Sequence, residues 1–92
     1  MQFKNATSDE TVTSLSVSVD GGGRVLDRRD LDIRPGETVD FSNVDSRYFY
    51  RMEVHSLYHI NEVGQVPWDG LVTLTEDGRL IVSSGGAPRS LA

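Results

Sequence analysis

His55 and His59, the two histidines of the chain, lie four positions apart in Val54-His55-Ser56-Leu57-Tyr58-His59. On a helix that spacing sets both imidazoles on one face, and Glu53, Glu62 or Asp69 as a third ligand would make a zinc or copper site. Serine, not glutamate, follows His55, so the metalloprotease helix pattern is absent, and the local composition favours strand over helix. Both residues are therefore read as structural histidines, with no metal and no other cofactor expected.

Arg47-Tyr48-Phe49-Tyr50-Arg51 interleaves aromatics with cations, the chemistry by which single-stranded nucleic acids are stacked and their phosphates held. The same run reads as a strand whose alternate members fill a core. The formal net charge of −5 opposes tracking of a phosphate backbone or an anionic membrane, so neither partner is expected. Phe49, flanked by Arg47 and Arg51, better fits a protein interface, where aromatics and arginine are enriched and lysine is depleted. Trp68, the single tryptophan, fits the same reading.

Catalytic patterns are missing: there is no nucleophile elbow, and Gly21-Gly22-Gly23 precedes strand-like residues where a phosphate loop would open a helix. The chain has no cysteine, which removes disulfides, thiolate metal sites and a cysteine nucleophile. A non-enzymatic protein is expected. Asn5-Ala6-Thr7 matches the N-glycosylation pattern, but residues 1–10 lack the features of an export signal, and the match is read as chance. No segment approaches the roughly 18 apolar residues of a membrane-spanning helix, so synthesis in the cytoplasm is expected.

The elements that must position these residues are strands. Eleven valines, six threonines and seven aromatics stand against three alanines, a bias toward the pleated conformation. Residues 11–19 alternate most clearly, with Leu15, Val17 and Val19 on one face and Ser14, Ser16 and Ser18 on the other. Residues 24–26, 30–34 and 38–42 read as short strands, with Leu31, Ile33, Val39 and Phe41 inward. Pro35-Gly36 between them suits a type II turn. Residues 31–41 resemble a stretch common in immunoglobulin-like and blue-copper-like sandwiches, although a blue-copper centre needs the cysteine this chain lacks.

Residues 48–55 predict a central strand with Tyr48, Tyr50, Met52 and Val54 inward. Residues 57–63 suit a strand, with a short helix as the alternative, and residues 64–70 a loop. Asp77-Gly78 matches a two-residue hairpin turn, whose arithmetic sets Glu76 opposite Arg79 and Leu74 opposite Ile81, leaving apolar residues on both faces. The expected product is an all-β domain of about seven short strands: a small antiparallel β-sandwich, Greek-key or immunoglobulin-like, or a small barrel. Residues 11–83 form the domain, between an N-terminal arm (1–10) and a C-terminal arm (84–92).

A 92-residue domain buries only about 60–65 per cent of its unfolded surface, so assembly is a natural support. Eight arginines against one lysine and nine aspartates against five glutamates point to a GC-rich or salt-loving source. The resulting expectation is an interaction module in a symmetric homo-oligomeric assembly, most concretely a virion decoration, turret or minor capsid protein of a prokaryotic virus. Its expected interface is Arg47, Phe49, Arg51, Trp68, Leu74 and Ile81. The alternative is a small module binding carbohydrate or a metal through Trp68, Tyr58, His55 and His59 near one end of the sandwich.

Overall fold

A computed structural model describes residues 1–83, so the C-terminal arm expected at 84–92 lies outside the described residues. Eight strands follow in order: β1 (Gln2–Asn5), β2 (Val12–Val19), β3 (Val25–Arg29), β4 (Thr38–Asp40), β5 (Phe49–Ser56), β6 (Ile60–Pro67), β7 (Leu71–Leu74) and β8 (Leu80–Ser83). They form two four-stranded sheets, ordered β4-β1-β7-β8 and β3-β2-β5-β6. Every strand pairing is antiparallel except β1 with β7. The domain is the expected all-β sandwich, 18 Å through its shortest axis. Among the described residues no helix is long and apolar enough to cross a membrane.

Alternation builds the core. In β2 and β5, Leu15 lies opposite Val54, Val17 opposite Met52 and Val19 opposite Tyr50. All but Val19 are buried, and they meet Phe3, Val72 and Leu74 in one cluster. On the outer face of the same pair, Ser14, Ser16 and Ser18 lie opposite His55, Glu53 and Arg51. That face stays polar because residues i and i+2 of a strand share a side.

The N-terminal segment is a strand rather than an arm. β1 lies between β4 and β7, and Met1, Phe3, Asn5 and Thr7 all turn inward. Asn5 and Thr7 are polar, yet their hydrogen bonds are made. The Asn5 amide nitrogen donates to the carbonyls of Glu10 (2.7 Å) and Ile33 (2.9 Å). Its oxygen accepts from the Thr7 backbone N–H (3.1 Å) and hydroxyl (2.7 Å). A buried amide with both N–H groups engaged is closed to a glycan, so the Asn5-Ala6-Thr7 match serves the fold.

Other segments depart from expectation for identifiable reasons. Residues 30–34 contribute only the bridge of Ile33 to Val12, while Leu31 is exposed. Pro35-Gly36 does make the expected turn: Gly36 has φ 88° and Glu37 N–H donates to Arg34 O at 3.0 Å. Residues 57–59 form the tip between β5 and β6, and β6 runs through the expected loop as far as Pro67. The final hairpin closes on Thr75 and Arg79, whose N–H···O bond is 2.8 Å, around a three-residue loop with Gly78 at φ 83°. The extra loop residue shifts the register, so Leu74 lies opposite Leu80 and Thr73 opposite Ile81. Leu74 consequently belongs to the core and is closed to a partner, while Ile81 faces out.

Arginines and aspartates pair along the strands and turns. Asp27–Arg29 (3.7 Å), Arg28–Asp30 (3.5 Å), Asp45–Arg47 (2.8 Å) and Asp77–Arg79 (3.2 Å) are each two residues apart. Pairs as open to solvent as most of these stabilise little, because water screens them, but they neutralise charge locally. Arg29 also joins the two sheets at one side of the sandwich: its guanidinium lies 4.6 Å from the Phe41 ring centre and donates to Asp40 O at 2.6 Å.

Glu10 ties the segment before β2 to the β5–β6 tip. Its carboxylate accepts from the Ser56 hydroxyl at 2.5 Å and lies 3.2 Å from His59 Nδ1. The Ser56 hydrogen bond first, then that to His59, holds the carboxyl below its ordinary value of 4.5. A folded-state value below the unfolded one stabilises above about pH 4.5, and the contribution is lost as pH falls through the folded value. Urea melts of wild type and Glu10→Gln between pH 5 and pH 3 should show a shallower loss of stability in the variant.

Candidate interaction surface

The loop between β4 and β5 is shaped by two side chains. Tyr50, buried at the start of β5, turns its hydroxyl back on the loop: it accepts from Asp45 N–H (2.5 Å) and donates to Asp45 O (3.2 Å). The arrangement is that of a tyrosine corner. Asp45 in turn accepts from Arg47 N–H at 2.9 Å and grips its guanidinium at 2.8–3.1 Å. These bonds hold the Asp45 carboxyl below, and the Arg47 guanidinium above, their ordinary values. Arg47 lies over the Tyr48 ring, 5.5 Å from its centre. Tyr48, expected inward, projects outward ahead of the strand's first residue.

Two hollows flank Tyr48. The larger, about 530 Å³, lies between this loop and the β2–β3 turn, with Val19, Leu26, Val44 and Tyr50 among its lining and Arg24 and Asn43 at its polar margin. The second, about 440 Å³, is lined by Asp20, Arg47, Phe49 and Gln65 and shares Val19 and Tyr48 with the first. Gln65 has φ 56°, a left-handed conformation that favours glycine. It is held by a bond from its N–H to the Asp20 carboxylate at 2.7 Å, at the bulge where β6 shifts register against β5. Asp20 also faces Arg51 at 3.4 Å, and Arg51 reaches on to Glu62.

Of the six residues expected at an interface, this end of the sandwich collects Arg47, Phe49 and Trp68. Phe49 lies opposite Pro67, the residue before Trp68, and Phe49 and Trp68 are 60% and 46% exposed. Arg51 follows on the same face of β5 but is engaged by Asp20 and Glu62. Ile81 stands on the outer face of the other sheet. Of the aromatic and basic run, Tyr50 is buried and Arg47 and Arg51 are held by carboxylates, while Tyr48 and Phe49 are exposed.

The residues of the alternative ligand site are divided. His55, Tyr58 and His59 lie at the β5–β6 tip, whereas Trp68 follows the far end of β6, a strand about 23 Å long at 3.3 Å per residue. Each histidine meets its own carboxylate, His55 with Glu53 at 2.6 Å and His59 with Glu10 at 3.2 Å. Among the described residues no group of three or more potential ligands surrounds a metal position.

Asn43 and Val44 escaped the sequence reading because a loop carries them, where period 2 gives no direction, and Arg24 and Tyr48, read as strand residues, each lie one position before the strand begins. Tyr50→Phe should lower stability by about 1 kcal/mol, the scale of a lost hydrogen bond, and loosen residues 42–47. Hydrogen exchange at the Asp45 amide, faster in the variant than in wild type, would check it. Comparison with family models, with curated proteins and with solved structures returns no match for this chain, so the reading of this surface rests on its geometry.

Proposed function

We propose that this domain is a non-enzymatic interaction module that works as one copy among several in a symmetric assembly. The observation that carries the reading is that Tyr48 and Phe49, both substantially exposed, line a hollow together with Arg47, with exposed Trp68 at the same end of the sandwich just past Pro67, the residue opposite Phe49. Interfaces draw their energy from such groups: rigid aromatic area loses little rotamer entropy on contact, and arginine offers both a planar face and donors. The engaged pairs Asp45–Arg47 and Asp20–Arg51 fix the rim in advance, which lowers the entropy lost on association. A virion decoration, turret or minor capsid protein is the concrete setting that the size and composition propose.

Light scattering after size exclusion, at low salt and in molar KCl, tests it. Wild type should run above its 10.2 kDa chain mass, and Phe49→Ser should weaken association about 10- to 30-fold with an unchanged circular dichroism spectrum. A folded monomer in both salts, for wild type and variant alike, would remove self-assembly from this reading.

A further inference from the structure

The two ends of the β5–β6 hairpin are complementary. Its tip carries Leu57, Tyr58 and Ile60 at 72%, 77% and 69% exposure, three large apolar side chains within four residues. Beside the tip is an acidic hollow lined in part by Asp9, Glu10 and Asp32. The side chains of Asp9 and Asp32 make no hydrogen bond or ion pair with any described residue, whereas Glu10 is engaged by Ser56 and His59. At the opposite end lies the 530 Å³ hollow, its lining mainly apolar through Val19, Leu26, Val44, Tyr48 and Tyr50. The cation at its margin, Arg24, likewise makes no side-chain bond with any described residue, and the carboxylate there, Asp45, is already taken by Arg47.

Unpaired acid beside an exposed apolar tip at one end therefore meets unpaired base beside an apolar hollow at the other. The two ends are separated by the length of β5, about 23 Å at 3.3 Å per residue, so one chain cannot satisfy both. We propose that the Leu57-Tyr58 tip of one copy seats in the Val44–Tyr48 hollow of the next, with Asp9 and Asp32 facing Arg24 across the contact. The inference rests on the assembly reading above and names the partner as a second copy. The contact is head-to-tail: each copy that gives a tip keeps an open hollow, so it extends into a ring if the rotation closes and a filament if it does not. Matched charge at the margin fixes which end meets which, since like ends would juxtapose like charges.

Two variants and their mixture decide the matter. Tyr58→Asp puts a charge on the tip and spares the hollow; Arg24→Glu reverses the hollow's charge and spares the tip. Both positions are exposed, so both variants should fold as wild type by circular dichroism. Each alone should be monomeric, at 10.2 kDa, under low-salt conditions where wild type assembles. Mixed in equal amounts they should form a one-to-one dimer that grows no further, because the pair contains one working tip and one working hollow. A mixture that stays monomeric while wild type assembles overturns the head-to-tail contact. So does assembly of either variant at wild-type affinity. If wild type assembles and Phe49→Ser weakens it while Tyr58→Asp does not, this inference fails and the assembly reading stands. If wild type is monomeric at every salt and concentration, both fail.

Discussion

Phe3→Ala will lower the unfolding free energy by about 3–5 kcal/mol, and removal of residues 1–10 will leave the chain unfolded. Phe3 is fully buried on β1, directly opposite Val39 on one side and Val72 on the other. Truncation there removes a ring from the middle of the core and leaves a cavity that two flanking strands cannot both collapse into. A domain of this size has about 5–14 kcal/mol of stability to lose, at about 0.05–0.15 kcal/mol per residue. A urea titration followed by Trp68 fluorescence and circular dichroism should show the midpoint falling by about a fifth or more. Were residues 1–10 an appendage, both changes would leave the midpoint where it is.

Asn5→Asp should cost about as much, 3–5 kcal/mol near neutral pH. The change replaces an amide that donates to two carbonyls with an oxygen that faces them, leaving Glu10 O and Ile33 O without that donor. Each carbonyl keeps a second donor, the Thr7 hydroxyl on Glu10 O (3.0 Å) and the Val12 N–H on Ile33 O (3.0 Å), so the cost is that of two lost hydrogen bonds plus the larger one of an ionised buried carboxyl set against two carbonyl dipoles. The pH dependence has a definite sign. Burial and the facing carbonyls raise the new carboxyl's folded-state pKa above the unfolded value of about 3.9, so its penalty grows as pH rises above that value. Acidification protonates it and restores one donor. The gap between variant and wild type, measured by urea melts, should therefore narrow from pH 7 to pH 4. Asn5→Ala, which cannot titrate, should show a gap without that component.

These residues also show why part of the fold was illegible in the sequence. Residues 1–8 alternate inward and outward as clearly as residues 12–17, but two of the four inward positions are Asn5 and Thr7. Reading strands by hydrophobicity assumes that the buried face is apolar. Here it is polar and satisfied, and the partners that satisfy it, Glu10 O and Ile33 O, lie 5 and 28 residues away. The last hairpin failed differently. Asp77-Gly78 is a turn signal in either register, and the choice of the three-residue loop buries Val72, Leu74, Leu80 and Val82 together against the core. That preference depends on the other sheet.

At the surface the division is similar. Arg47, Phe49 and Trp68 could be picked out as aromatic and arginine anchors by type alone, and the structure gathers them at one end. The hollow near them lies between the β2–β3 turn and the β4–β5 loop, which Asp45 ties to Tyr50 of β5, and neither loop carries a periodic pattern. The alternative grouping of Trp68 with Tyr58, His55 and His59 was plausible along the chain but is broken by β6, whose length separates them.

By itself, then, the sequence determined that the chain is a β-domain with a serine-lined wet face, which core residues β2 and most of β5 supply, and where Pro35-Gly36 turns. Those features follow from local sterics and period-2 alternation, which act between residues close in the chain. The tertiary structure alone decided that the N-terminus is an inner strand, that Leu74 is core while Ile81 is surface, and that an apolar tip and an apolar hollow occupy opposite ends. Each of these depends on hydrogen-bond partners and packing surfaces brought together from distant segments, for which local pattern carries no energy term.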